Sequence, residues 1–174
     1  MFFLQLAGVP GSGKSTLAME IAKIISVVIV DHDVTKSALM LAGVEEKAAG
    51  KIAYDVDYTY VNYFLSQGHN VIMDSPCFYD VQLERSINAA ESNNAFYKYV
   101  ECYFNDLNEI NRRLKTRESK ISQCKSINSH IASEEMFVNW LNNMKKPESN
   151  YIVVDTSKPV NEYIDEVIKY LVNN

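Results

Sequence analysis

Residues 8–15 read Gly8-Val9-Pro10-Gly11-Ser12-Gly13-Lys14-Ser15, a complete G-x-x-x-x-G-K-[ST] stretch, and nothing else in the chain narrows the possible folds as far. The residues before it, Phe2-Phe3-Leu4-Gln5-Leu6-Ala7, form a short apolar run of buried-strand type. Those after it, from Thr16 to Ile24, carry apolar residues at helical spacing. Strand, glycine loop and helix in direct succession is the context in which such a loop cradles phosphate. Glycine lets the backbone bend and approach anionic oxygens without a Cβ in the way. Successive N–H groups then form an anion nest at the positive end of the following helix. Lys14 adds a mobile cation, and the Ser15 hydroxyl suits Mg²⁺.

At 174 residues the chain is long enough for one domain with a sizeable core. Its net charge is −5, and its only arginines are Arg85, Arg112, Arg113 and Arg117. Without a basic tail, a broad electrostatic footprint on nucleic acid is not expected. Cys77, Cys102 and Cys124 are scattered and show no metal-type spacing with His32, His69 or His130. Free thiols in a reducing cytoplasm are the expectation. The first residues lack the charged segment of a signal peptide, and no apolar run reaches the length of a membrane span.

Four further strand-like runs follow, at 27–31, 70–74, 99–104 and 151–155. Helical patterns separate them: 55–66, 80–92, 106–117, 133–144 and 159–172, the last opened by Pro159. Continuous apolar strands alternating with helices predict βαβ crossovers and a parallel sheet. The polar stretch 118–129 has no apolar periodicity and reads as a flap or a surface loop.

Asp31, Asp74 and Asp155 each end a strand run, and open parallel sheets bind ligands beyond the carboxyl ends of their strands. Transfer of a phosphoryl group to a hydroxyl needs a carboxylate beside the acceptor. Asp33 is the first candidate for that role and Asp31 the second, with Lys36 one helical turn on for an anionic group of the acceptor. The competing reading makes Asp33 a helix cap and Lys36 a solvated side chain. Asp74 suits a carboxylate that holds Mg²⁺ through water. Asp155 reads equally well as a cap into the last helix, with its loop near a nucleobase. Arg113 and Arg117 share a helix face and are candidates for closing over phosphates; Lys120 and Lys125 are weaker ones. The three histidines read as surface or loop residues. No base can be assigned to Cys77. Tyr54, Tyr58, Tyr60 and Tyr63 read as core and groove wall rather than a stacking platform.

With these elements in order, the chain resembles the small P-loop kinases. It is most similar to the AAA-type ATP-binding group related to the kinase domain of polynucleotide kinases and to zeta toxins. The resemblance rests on residues 8–16, Asp33-x-x-Lys36, Val71-Ile72-Met73-Asp74-Ser75-Pro76, Arg113-Leu114-x-x-Arg117 and Val154-Asp155-Thr156-Ser157-x-Pro159. It implies a single α/β domain with the P-loop NTPase fold: three α/β/α layers, a five-stranded parallel sheet of order 2-3-1-4-5, and a small helical lid near 114–135. It also implies ATP and Mg²⁺. Gly8, Pro10, Gly11, Ser12, Gly13, Lys14, Ser15, Thr16 and Arg117 are then the nucleotide contacts, and Ser15 and Asp74 the metal residues. Lys14, Asp33, Arg113 and Arg117 are the catalytic candidates, and Asp31, Asp33 and Lys36 face the acceptor. In polynucleotide-kinase-like members an arginine stands where this chain has Lys36. Lysine keeps the charge and lacks the bidentate fork, which favours a small molecule, nucleoside or nucleotide as acceptor over a polynucleotide 5′-hydroxyl. A non-catalytic ATP-binding regulator is the reading from a different class.

Overall fold

A computed structural model describes residues 1–116 and 132–173 of the chain. Its five strands are β1 (Phe2–Ala7), β2 (Val27–Asp31), β3 (Asn70–Asp74), β4 (Phe96–Tyr103) and β5 (Ile152–Asp155). They form one sheet of order β2-β3-β1-β4-β5, and each neighbouring pair is parallel. The helices among the described residues are α1 (Lys14–Ile24), α2 (His32–Leu41), α3 (Glu46–Ser66), α4 (Asp80–Ser92), α5 (Leu107–Thr116), α6 (Glu134–Asn143) and α7 (Ile164–Val172). The expected strand order and parallel sense are both present.

The pleat of β1 explains the layering. Phe2, Leu4 and Leu6 pack on one face with Leu17 and Ile21 of α1 and Val167 and Leu171 of α7. Phe3 lies on the opposite face with Tyr58, Val61 and Leu65 of α3 and Ala89 and Ala90 of α4. A strand covered on both faces must be apolar throughout, and β1 is buried over its whole length. Gln5 is its one polar residue. Its amide donates to the carbonyls of Leu6 at 2.7 Å and Ser75 at 3.0 Å and accepts from the Ser86 hydroxyl at 3.2 Å, which offsets the cost of burying it.

Several boundaries differ from the sequence reading. β4 begins at Phe96 because Phe96-Tyr97-Lys98 continues the pairing with β1. α3 begins at Glu46, capped by the Glu45 carboxylate accepting from the N–H groups of Lys47 and Ala48. Pro159 does not open the last helix: a 3₁₀ turn at Val160–Glu162 intervenes before α7. The stretch 118–129 lies outside the described residues.

Above the glycine loop, Val9 packs with Phe104, Ile110, Leu114 and Phe137, so α5 and α6 rest on the loop itself. Asn111 braces this unit: it donates to the Ala132 carbonyl at 3.1 Å and accepts from the Ala132 N–H at 2.6 Å.

Candidate active site

The sequence places the glycine loop at the carboxyl end of β1, the strand between β3 and β4 in the sheet. This is the edge at which open parallel sheets form their ligand crevice. Gly8, Gly11 and Gly13 all have positive φ, at 146°, 82° and 95°. Close approach demands glycine at Gly8, where a Cβ would lie 2.5 Å from Ser12 Oγ and 2.7 Å from the Cys102 carbonyl oxygen; at Gly11 it would meet Ile110 and Leu114 at 3.4 Å, an ordinary contact distance, and the positive φ alone favours glycine. Gly13 is the N-cap of α1, which has neither a side-chain cap nor an acidic residue in its first turn. The helix's leading N–H groups are therefore left for an anion. Lys14 is buried and donates from Nζ to the carbonyls of Gly8 at 2.8 Å and Val9 at 3.1 Å. Its ammonium is folded over the loop it belongs to.

A cleft of about 830 Å³ opens here. Its floor is Pro10, Gly11, Gly13, Lys14, Ser15 and Thr16. One wall carries His32, Asp33, Lys36, Tyr54, Asp74 and Ser75. The other carries Arg113, Thr156, Lys158, Val160 and Tyr163, with Met136 and Trp140 of α6 lining the same space. Gly8 and Ser12 do not line it. Ser12 turns inward: its N–H bonds to the Val9 carbonyl at 3.1 Å, and its hydroxyl is buried with no hydrogen-bond partner among the described residues.

The strand-end carboxylates divide their tasks. Asp31 and Asp74 pair across β2 and β3. Asp31 caps α2, accepting from the N–H groups of Asp33 at 2.9 Å and Val34 at 3.2 Å, and is absent from the cleft wall. The cap therefore falls two residues before the one considered for it, and Asp33 stands in the first turn, on the cleft. Asp74 is buried at the end of β3 and lines the cleft beside the loop. Lys36 is on the wall with its ammonium 3.4 Å from Glu46 Oε1. Asp155 sits outside: its carboxylate accepts from the N–H of Ser157 at 3.0 Å and its hydroxyl at 2.6 Å, which lowers its pKa.

Arg113 links three elements. Its guanidinium lies 4.1 Å over the Phe104 ring, donates to the Thr156 carbonyl at 3.2 Å, and reaches the Gly11 carbonyl at 3.5 Å. Glu109 Oε1 holds it from one turn below at 3.1 Å. Hydrogen bonds from Arg112 and Arg113 push the Glu109 carboxyl down to about 2. Arg117, Lys120, Lys125 and Cys124 lie outside the described residues, as does most of the expected lid.

His32 is not the surface residue its sequence context suggests. It is buried, its Nδ1 lies 2.8 Å from Asp57 Oδ2, and its ring stacks on Tyr54 at 3.9 Å between centroids. Asp57 has no exposed surface and accepts at Oδ1 from the Thr35 hydroxyl at 2.5 Å. The sequence signal was a carboxylate on the core-facing stripe of α3, one turn from Tyr54. Of the four tyrosines on α3, Tyr54 reaches the cleft, Tyr58 is core, and Tyr60 and Tyr63 face outward. Cys77 is buried against Ala7 and Tyr99, and burial pushes its thiol up to about 12. His69 stands edge-on to Phe64.

The donors present fit a nucleotide triphosphate with Mg²⁺. The uncapped N–H groups of α1 and the Lys14 ammonium suit phosphate oxygens, and the Ser15 hydroxyl and Asp74 carboxylate are the hard oxygen ligands Mg²⁺ prefers. Among the described residues no cluster of three or more His, Cys, Asp or Glu side chains forms a separate metal site, and no helix is long and apolar enough to cross a membrane.

Solved structures share this architecture. A proposed kinase from Chloroflexus aurantiacus superposes with a TM-score of 0.72 at 19% identity, covering 98% of each chain. The APS kinase CysC of Mycobacterium tuberculosis, in complex with AMPPNP and APS, gives 0.68 at 16% identity over 99% of this chain and 98% of that one. A gluconokinase from Sinorhizobium meliloti 1021 gives 0.63 at 16% identity over 98% and 91%. At such identities the likeness is one of fold. No curated protein matches the sequence at a significant level. Residues 4–133, from the loop strand through α5, match the AAA domain family. Glycine loop, sheet order and sequence match agree: the chain belongs to the AAA domain family and has the fold of the small P-loop kinases.

Proposed function

We propose that the chain is an ATP-dependent phosphotransferase that moves the γ-phosphoryl group to a hydroxyl of a small molecule, nucleoside or nucleotide. One observation carries this reading. The glycine loop, Asp74 and Asp33 open into a single cleft, so a phosphate donor and a hydroxyl acceptor can meet in one space. A switch or mechanical NTPase has no need of the second wall.

The loop N–H groups and Lys14 bind the β- and γ-phosphates, and Arg113 or Arg117 closes over the phosphates, Arg113 from α5 beside the Gly11 carbonyl. Ser15 and Asp74 would hold Mg²⁺, which when bound would supply positive charge to offset that of the phosphates. Asp33 orients the acceptor hydroxyl and takes its proton as the new O–P bond forms and the bond to the β-phosphate oxygen breaks. α5 and α6 over the loop keep water from competing as acceptor. The unpaired thiols of Cys77 and Cys102 suit a reducing compartment, and we place the protein in the cytoplasm.

The test is ADP release measured across sugars, polyols, nucleosides, aminoglycosides and 5′-hydroxyl oligonucleotides. Acceptor-dependent release that disappears in Asp33→Asn, with AMPPNP still bound, is expected. Near-normal turnover in that variant removes Asp33 from its role. Nucleotide binding without release for any acceptor class favours the regulator.

A further inference from the structure

Asp57 lies in α3 with no exposed surface, and burying a carboxyl group is costly unless its oxygens are satisfied. Both oxygens find their partners in one place. Oδ2 lies 2.8 Å from His32 Nδ1, and Oδ1 accepts from the Thr35 hydroxyl at 2.5 Å. His32 and Thr35 are three residues apart, on one face of the first turn of α2. The link between ring and carboxyl group exists whichever of the two holds the proton. Tyr54, about one turn before Asp57 on α3, stacks on the imidazole at 3.9 Å between centroids and keeps the ring in its plane.

This clamp brackets Asp33, the cleft residue assigned above to the acceptor hydroxyl. His32 precedes it and Thr35 follows it, and Asp31 accepts from its N–H at 2.9 Å and from that of Val34 at 3.2 Å. The first turn of α2 is therefore held both from the end of β2 and from α3. Well-packed apolar side chains at the same seam would hold the two helices together equally well, since buried ionic groups are often replaceable without loss of stability. What apolar contact does not supply is direction: it resists separation but leaves sliding and rotation of α2 on α3 cheap. Two hydrogen bonds to one buried carboxyl group oppose both movements. Proton transfer is sensitive to such movements, because a displacement of about 1 Å at a reacting group can cost about 100-fold in rate.

We infer that Asp57 is a positioning residue for phosphoryl transfer: through His32 and Thr35 it sets the first turn of α2, and with it the direction in which Asp33 meets the acceptor hydroxyl. The constraint acts on the backbone around residue 33, so it holds whatever else the Asp33 carboxylate touches. This rests on the kinase reading above.

ADP release with glucose, myo-inositol, adenosine, AMP, kanamycin and a 5′-hydroxyl oligonucleotide identifies the acceptor on which variants are compared. Asp57→Ala cuts both links, and kcat should fall about 100-fold while AMPPNP affinity and the KM for ATP stay within about twofold of wild type. Asp57→Asn keeps both links, because an amide can accept from the ring N–H and donate to the Thr35 hydroxyl, and it should keep most of kcat. Thr35→Val removes one link with little change of shape and should lose about tenfold in kcat. Thr35→Ser restores the hydroxyl and should recover most of that loss. Thermal melts set the assay temperature below unfolding for every variant, and if Asp57→Ala does not fold, the two Thr35 variants decide. Wild-type kcat in Thr35→Val overturns the inference and leaves the kinase reading standing. So does Asp57→Asn as slow as Asp57→Ala, which would make charge rather than placement the contribution of Asp57. AMPPNP binding with no turnover for any acceptor overturns both.

Discussion

Gly8→Ala tests the loop most directly, because its cost can be worked from contacts. At φ 146° the backbone of residue 8 is one that side chains rarely adopt, and such strain costs about 1–3 kcal/mol. The new methyl would lie 2.7 Å from the Cys102 carbonyl oxygen and 2.5 Å from Ser12 Oγ. The first is backbone in the adjacent strand β4 and moves only if the sheet moves, so overpacking adds about 1–3 kcal/mol. Together the loss is about 4 kcal/mol, or about 8–16 °C in Tm for a chain of this size. The Gly8 carbonyl also accepts from Lys14 Nζ at 2.8 Å, so displacing residue 8 misplaces the ammonium and weakens nucleotide binding. Gly43→Ala is the control. Its φ is 90°, but nothing lies within 4 Å of its added Cβ, so only the backbone term of about 1–2 kcal/mol applies. Urea melts and AMPPNP titrations on the two variants provide the comparison. A Gly8→Ala protein less than about 1 kcal/mol below Gly43→Ala, with nucleotide affinity intact, refutes the steric argument.

Three further outcomes are expected. Lys14→Ala abolishes acceptor-dependent ADP release and weakens AMPPNP binding at least about 100-fold, read by calorimetry. The Glu109 carboxyl titrates near 2 by ¹³C NMR, and Arg113→Ala raises that midpoint. Because its folded pKa is depressed, its contribution to anchoring α5 is fully present above the ordinary glutamate range and is lost as pH falls toward 2. Cys77 and Cys102, both pushed up to about 12 by burial, resist a thiol reagent at pH 8 in the folded protein and react in urea, as peptide mapping distinguishes.

Some of the site is legible in the sequence because its parts are adjacent in the chain. The glycine loop carries its conformation in consecutive residues, and the strand before it and helix after it confirm it locally. The parallel sheet was legible in strands such as Val27-Val28-Ile29-Val30, which lack the alternation of a half-exposed strand. The assignment of tasks among Asp31, Asp33 and Asp74 was less so. It depends on where β2 stops and α2 starts, and a shift of two residues exchanges a cap for a cleft carboxylate. Arg113 was legible as a closing residue, but its seat over Phe104 and against Thr156 was not, since those partners come from β4's end and β5's loop.

The histidine shows the boundary between the two kinds of information. By itself, the sequence determined a phosphate-binding loop between a buried strand and a helix, a parallel α/β sheet, and carboxylates at strand ends, because each follows from local backbone preference or the period of apolar residues. Only the tertiary structure decided that His32 meets Asp57, 25 residues away, and that Asp33 rather than Asp31 faces the cleft. The first depends on how α2 packs on α3, and no local preference encodes the meeting of side chains on two different helices; the second depends on the residue at which β2 ends and α2 begins.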